Sequence, residues 1–450
     1  MSENTGNTKV VTRFAPSPTG FLHLGTYRTA IYAYLFAKKN HGEFILRIED
    51  TDKERNKKEF EDDIIESLKW LDLSYDHFYR QSEHVDTHKK YLEKMISEGT
   101  AYISKEEAKD GSGVIKEIVR FKNPNIDVSF VDAIKGNVTM HTEDLGDFVL
   151  AKNLNEPLFH LAVVIDDFEE GVTHVIRGED HTSNTPRQIL IQRAIGAPTP
   201  IYAHLPLVLG ADKLKLSKRR GALAVSEYKN AGFLPEAILN GASFVGWNPG
   251  TDQELFTHDE LINAFDLEKV QKSPAVFSEQ KLEWFNKEHM KRLSQDEIEK
   301  NIIENIPDDF KNNHLEICKK IVPIIVDRIS KWSDVKNMVV AGELDLFFKA
   351  PNTDENNFKE KLIFKNSSIE NAKKSLEISK NVLSNLPEND FNFENIKNIL
   401  MLEADKMPTR GELLHPVRYA LSGMDKSPDP FIIASILGKN ETLQRLQNAI

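Results

Sequence analysis

The sequence predicts an α/β protein, a parallel sheet carrying a small insertion, followed by an all-helical C-terminal region. Two patterns carry this. Residues 10–14 are β-branched and apolar, residues 26–37 have the texture of a buried helix, and residues 44–48 form a second short apolar run. Strand, helix and strand in so short a span make a βαβ unit, and such units build parallel sheets. Past about Leu282 almost every segment instead repeats its apolar residues at helical spacing.

Each element follows from local chemistry. The first strand is broken by Ala15-Pro16-Ser17-Pro18-Thr19-Gly20, where two prolines and a glycine force a loop. The second ends in Glu49-Asp50-Thr51-Asp52, after which Phe60, Ile64, Ile65, Leu68 and Leu71 recur at helical spacing. Between about residues 103 and 167 the texture changes, and the short alternating pieces at 128–131 and 137–140 predict a small antiparallel insertion. Parallel-sheet texture returns at 172–176, with a helix at 188–195 and an apolar run at 201–209. Helices are read at 296–306, 315–332, 369–386 and 430–436.

At 450 residues the chain exceeds one ordinary core and predicts about three domains. Its 40% hydrophobic and 28% charged residues suit a globular chain and argue against wholesale disorder. No apolar run approaches the roughly 20 residues of a membrane helix, so no membrane partner is expected. The polar start lacks a basic-then-apolar leader, and the single cysteine, Cys318, excludes an intrachain disulfide or a multi-cysteine metal site. A cytoplasmic monomer is the expectation. Basic and acidic residues number 58 and 70, a net charge of −12. That balance disfavours nonspecific nucleic-acid binding over the whole surface and leaves room for a local basic groove.

Two short stretches can carry chemistry. His23-Leu24-Gly25-Thr26 sits where the first loop enters its helix. Helix N-termini offer unpaired N–H groups and a positive dipole end, which suit phosphate. Gly20 and Gly25 permit close backbone approach, and His23 can donate to a phosphate oxygen. The second stretch, residues 213–221, holds five cations in nine residues and follows an apolar run. It is therefore placed at a strand end, where α/β sheets bind ligands. Alone, the first is more often a structural turn histidine and the second more often a solvated basic loop.

Their pairing is specific. His23-Leu24-Gly25-Thr26 resembles the His-Ile-Gly-His motif of class I aminoacyl-tRNA synthetases, and Lys215-Leu216-Ser217-Lys218-Arg219 resembles their Lys-Met-Ser-Lys-Ser loop. The residues from Arg13 to Gly20, from Arg47 to Asp52, from Val175 to His181 and from Leu413 to Gly423 are similar to the bacterial glutamyl-tRNA synthetase family. The likeness runs from about Val10 to the end of the chain. It implies a Rossmann-type catalytic sheet and an enzyme that activates L-glutamate with ATP and transfers it to tRNA(Glu). Whether tRNA(Gln) is charged as well stays open.

By this resemblance His23 and Lys218 are catalytic, and ATP is held by Pro16, Gly20, His23, Gly25, Thr26, Lys215, Ser217 and Lys218. Arg13, Ala15, Ser17, Glu49, Phe159, Arg177 and His181 line the glutamate pocket, with Glu49 taking the α-ammonium. A carboxylate side chain calls for a fixed guanidinium and bidentate recognition. For Arg177 the plain alternative is an ion pair with Glu179 or Asp180. A magnesium ion (Mg2+) would accompany the nucleotide. The implied domains are two catalytic halves at 1–80 and 171–240, a connective, zinc-free insertion binding the acceptor end at 81–170, a stem-contact domain at 241–325 and a helical anticodon-binding domain at 326–450. Arg410, His415 and Arg418 are candidate tRNA contacts in the tail.

The sequence departs from the family in three places. Thr26 replaces the second histidine, Phe159 and His160 stand where tyrosine and asparagine are expected, and residues 105–115 replace a cysteine-rich zinc segment with none. His84 and His88 share one helical face at i, i+4 and lack further ligands, so they are read as an exposed helix start and no zinc is expected. Three other readings compete. A glutaminyl enzyme is disfavoured by the helical tail, since those enzymes attach β-barrels. A truncated paralogue would lack that tail altogether. Intact His23, Glu49, Arg177 and Lys218 argue against a catalytically dead RNA-binding protein.

Overall fold

The computed structural model describes residues 9–52, 54–107, 114–216, 223–354 and 357–450. The chain separates into two units, Met1–Lys291 and Arg292–Ile450. The span expected to contact the tRNA stem, 241–325, straddles that division.

The first unit opens with β1 (Val11–Phe14), α1 (Leu24–Lys39), β2 (Glu43–Ile48), α2 (Lys58–Trp70), β3 (His77–Arg80) and α3 (Val85–Ser97). The strands β4 (Ala101–Glu107), β5 (Ile115–Phe121), β6 (Asp127–Asp132), β7 (Gly136–His141), β8 (Val149–Asn153) and β9 (Glu156–Pro157) follow. Then come α4 (Phe159–Glu169), β10 (His174–Gly178), α5 (Thr185–Ile195), β11 (Ile201–Leu205) and β12 (Val208–Leu209). The unit closes with α6 (Val225–Asn230), α7 (Pro235–Ser243), α8 (His258–Ala264), β13 (Ala275–Val276) and α9 (Glu279–Met290).

Seven strands form one sheet in the order β3-β2-β1-β10-β11-β6-β7. All pair in parallel except the β6–β7 hairpin. Successive side chains alternate between two cores. Phe44, Leu46, Ile48, Ile176 and Ala203 pack with Ile31 and Leu35 of α1, while Ile45, Val175 and Tyr202 pack with Leu161, Val164 and Ile191 of α4 and α5. Chain order runs one way from β1 to β3 and the other way from β10 to β11, so a crevice opens beyond the C-terminal ends of β1 and β10.

The insertion differs from expectation in one respect. β4, β5, β8 and β9 make a separate antiparallel sheet, but the β6–β7 hairpin joins the catalytic sheet beside β11, with Tyr202 opposite Asp132. Val128 and Phe130 point inward and Val131 outward. That alternation identifies a half-buried strand without saying which sheet it extends.

The second unit is helical throughout its described residues, with helices at Gln295–Asn305, Asp308–Val326, Ser333–Val340, Ile369–Ser384, Phe393–Ala404, Gly411–Ser422 and Pro430–Ala449 among them. The expected helix at 315–332 stops at Val326, because Asp334 Oδ2 accepts the N–H groups of Ser330 and Lys331 (2.8 and 3.1 Å) and closes a turn there. The last helix runs past 436 and kinks at Gly438, where φ is 79°. Arg418 is engaged locally, donating to Met424 O and Ser427 Oγ (3.0 and 2.8 Å), and His415 Nε2 bonds Lys361 O at 2.9 Å. Arg410 pairs with Asp405 at the surface. Among the described residues no helix is long and apolar enough to cross a membrane.

Candidate functional site

A cavity of about 660 Å³ occupies the crevice at the ends of β1 and β10. Arg13, Ala15, Pro16 and Ser17 reach it from the exit of β1, Gly20, His23, Gly25 and Thr26 from the entry to α1, and Glu49 from the end of β2. Phe159 begins α4 above it, Arg177 and His181 leave β10, and Lys215 follows β12. Every described residue assigned from the sequence to glutamate or ATP thus lines one cavity. Ser217 and Lys218 lie outside the described residues.

One end suits phosphate. His23 is the N-cap of α1 in extended conformation (φ −109°, ψ 168°), makes no side-chain cap, and is followed by no acid in the first turn. The first turn of this 16-residue helix carries no acid of its own, and its dipole end borders the cavity, while Asp63 Oδ2 accepts Leu22 N–H just before it at 3.0 Å. Thr26 Oγ1 lies 3.3 Å from His23 Nε2. The residues flanking 217–222 are fixed close by. Leu216 N–H donates to Val208 O at 2.9 Å, Ala224 bridges to His23, and Val225 N–H donates to Leu22 O at 3.0 Å.

The other end is ionic and buried. Arg177 is 6% exposed. Its Nε donates to His204 Nε2 (3.1 Å), Nη1 to Gln188 Oε1 (2.7 Å) and Nη2 to Thr185 Oγ1 (2.8 Å). The alternative ion pairs do not form. Glu179 pairs with Lys135 and accepts Leu207 N–H at 2.9 Å, and Asp180 pairs with Lys215 at 3.2 Å. Among the described residues no carboxylate lies within salt-bridge distance of Arg177. Burial lowers its pKa to about 10, with Tyr202 opposing and Arg13 adding to the fall. A cation held there favours an incoming anion.

Glu49 is the counterpart. Burial raises its carboxyl to about pKa 7 against the opposing pull of Arg47 and Arg13. Its Oε1 has no hydrogen-bond partner, and Arg47 Nη2 stands 3.5 Å away. Glu49 nonetheless lines the cavity, and a carboxylate on that wall suits an ammonium donor. Beneath it the fully buried Arg47 meets Asp167 (2.7 Å) and Glu170 (2.6 Å), and Asp167 also takes Arg13 Nε at 3.2 Å. Asp167 thereby ties the strand that carries Arg13 to the strand that carries Glu49. His160 and His181 are both lowered to about 4, first by burial and then by nearby arginines, so both are neutral near pH 7. Phe159 packs against each, with ring centroids 5.3 and 5.8 Å apart.

One expectation is corrected here. His84 and His88 are not an exposed helix start. His88 is buried, and both rings meet Asp166 Oδ1, at 3.1 and 2.6 Å, beside Gln81 Nε2 on Oδ2 at 2.8 Å. Their i, i+4 spacing places them on one face, and that face packs on α4. Sequence reasoning gave no role to Arg47, Asp167 or Arg28. The available signal was a cation inside an otherwise apolar strand (Ile45-Leu46-Arg47-Ile48) and another inside an apolar helix. Arg28 lines the cavity and spans to Val245 O at 3.1 Å and Pro206 O at 2.5 Å, close to Gly246, whose φ of 93° suits glycine.

Comparison with known proteins agrees with this geometry. The family model for "tRNA synthetases class I (E and Q), catalytic domain" matches residues 9–110 and 103–284, and an "Anticodon binding domain" model matches 271–450. A glutamate–tRNA ligase of Sulfurihydrogenibium sp. is 37% identical over 97% of this chain and 98% of its own length. The chain belongs to the class I glutamate–tRNA ligase family. The glutamate–tRNA ligase of Aquifex aeolicus is 48% identical over 62% of this chain and 66% of its own. A crystal structure of a glutamate tRNA ligase from Elizabethkingia meningosepticum, in complex with its amino acid, superposes with a TM-score of 0.86 at 31% identity, covering 98% of this chain and 99% of that one.

Proposed function

We infer that the chain attaches L-glutamate to tRNA(Glu) in two steps. A glutamate α-carboxylate oxygen attacks the α-phosphorus of ATP, and pyrophosphate leaves with the electrons of the broken P–O bond. A hydroxyl of the 3′-terminal adenosine then attacks the acyl carbon of the adenylate, and AMP leaves. The observation that carries this is the buried Arg177 guanidinium, with no anionic partner among the described residues, in the same cavity as an uncapped helix start.

In this scheme Arg13 and Arg177 hold substrate carboxylate, Glu49 takes the α-ammonium, and Ala15, Ser17, Phe159 and His181 complete the wall. Pro16, Gly20, His23, Gly25, Thr26 and Lys215 border the nucleotide, with Ser217 and Lys218 assigned to it by family resemblance. Negative charge gathers on phosphoryl oxygens in the transition state, so these residues act by placement and charge stabilisation. Among the described residues no three His, Cys, Asp or Glu side chains are grouped to hold a metal, and the carboxylates lining the cavity are Glu49 and Asp180. That donor set fits a magnesium ion carried by the nucleotide's own phosphates, where it would neutralise charge.

Residues 1–80 and 171–240 are assigned to catalysis, 81–170 to the acceptor end, 241–325 to the stem and 326–450 to the anticodon. The protein is read as a cytoplasmic monomer, in keeping with its single, buried Cys318. Charging of purified tRNA(Glu) with radiolabelled glutamate tests the function. ATP-dependent incorporation is expected, and none with chargeable tRNA refutes it. The same assay on tRNA(Gln) decides whether that tRNA is also a substrate.

Glu49 gives a pH prediction. Its free-enzyme pKa is raised to about 7, so the neutral form accumulates as pH falls through that value and loses its charge for the ammonium. kcat/KM for glutamate should therefore drop between about pH 8 and pH 6, while kcat should be flatter because bound ammonium favours the carboxylate. Glu49→Gln should remove that limb and raise the glutamate KM. A flat kcat/KM profile in the wild type would remove Glu49 from the ammonium site.

A further inference from the structure

Arg177 takes its aim from residues that do not reach the cavity. Its Nε donates to Nε2 of His204, a fully buried residue of β11. On the far side of the ring, Nδ1 lies 2.6 Å from Oδ2 of Asp132. Asp132 ends β6 and is itself fixed. Its Oδ1 accepts the N–H groups of Ile134 and Lys135 (2.9 and 2.8 Å), and its Oδ2 also accepts His204 N–H at 3.1 Å. A line of buried polar groups thus runs from the β6–β7 hairpin through β11 to the cation at the cavity wall.

The donors determine the tautomer. Arginine Nε can only donate, so His204 Nε2 accepts and the ring proton sits on Nδ1, donated to Asp132. A charged ring would point N–H at N–H. Burial, with Arg177 adding to it, holds the His204 pKa below the ordinary value despite the opposing pull of Asp132. Of the five hydrogens on the guanidinium, Nε, one on Nη1 and one on Nη2 are engaged by His204, Gln188 and Thr185. The second hydrogen on Nη1 and that on Nη2, which has only a 3.5 Å contact to His181 O, remain for a ligand. Two parallel N–H groups receive a carboxylate bidentately only if the guanidinium plane is fixed.

We propose that His204, held as its Nδ1–H tautomer by Asp132, is a positioning residue that sets the plane of the Arg177 guanidinium for the substrate carboxylate. This rests on the assignment of Arg177 to glutamate made above. A purely structural role, stitching β6 to β11, is the competing account.

Steady-state charging of tRNA(Glu) by the full-length protein separates the two. His204→Phe keeps the ring volume and removes both nitrogens, so the glutamate KM should rise about tenfold or more while the ATP KM stays within about twofold. His204→Gln keeps an acceptor near the Nε2 position and should hold the glutamate KM within about threefold of wild type. In Asp132→Asn the amide oxygen is needed by Ile134 and Lys135, so its NH2 replaces Oδ2, giving up the His204 N–H bond and forcing the ring proton to Nε2, against Arg177. The glutamate KM should then rise as in the phenylalanine variant. If His204→Phe does not fold, Asp132→Asn carries the test. The proposal is overturned if the phenylalanine and asparagine variants lower Tm without moving the glutamate KM beyond about twofold. It is also overturned if they raise the glutamate and ATP KM alike, or if glutamine rescues no better than phenylalanine. A wild-type protein that charges no glutamate would fail the proposed function and this inference with it. Normal wild-type charging with unmoved variants fails this inference alone.

Discussion

Arg177→Ala is expected to lower kcat/KM for glutamate by about 10²–10⁴-fold, with the ATP KM changed by less than about twofold. The magnitude follows from what is left behind. The substrate carboxylate would enter a buried site stripped of its cation, and breaking a buried pair costs about 3–5 kcal/mol, roughly two to four decades in rate. The free protein should tolerate the change better than the complex does, because Arg177 has no carboxylate within salt-bridge distance among the described residues to strand. Its partners are His204, Gln188 and Thr185, all neutral. A glutamate KM within about twofold of wild type would return Arg177 to a structural role.

Lys218→Ala should slow adenylate formation by about 10²-fold or more while leaving glutamate affinity nearly unchanged. A cation that meets developing charge on phosphoryl oxygens acts mainly in the transition state, so its loss appears in the rate rather than in ground-state binding. The flanks of residues 217–222 support the assignment. Lys215 lines the cavity and Ala224 bridges to His23, so described residues on either side lie beside the helix start assigned to phosphate. Single-turnover activation at saturating ATP, with tRNA present, measures the step directly. An unchanged rate would end the catalytic role of Lys218.

The cavity was legible in the sequence because its residues occupy short motifs at strand ends. Arg13 to Gly25, Glu49, Arg177 to His181 and Lys215 each sit at or just beyond a strand end, and these ends meet at one edge. Their supports were not legible. Asp132 lies 72 residues from His204, and Asp167 lies 154 residues from Arg13 and 120 from Arg47. No local pattern encodes partners that far apart. His84 and His88 show the limit of periodicity, which establishes a shared face and leaves open whether that face meets water or Asp166. The β6–β7 hairpin shows the same limit for strands, since alternation specifies burial but not the neighbouring sheet.

The most direct measurement is the ratio of kcat/KM for L-glutamate to that for L-glutamine in ATP-dependent charging of tRNA(Glu). Glutamine matches glutamate in shape and presents a neutral amide, so it would leave the Arg177 guanidinium buried without an anion. A ratio of about 10⁴ or more is expected, the discrimination open to a site whose buried polar groups are otherwise left unpaired. A ratio within about tenfold would contradict selection of glutamate by a buried cation.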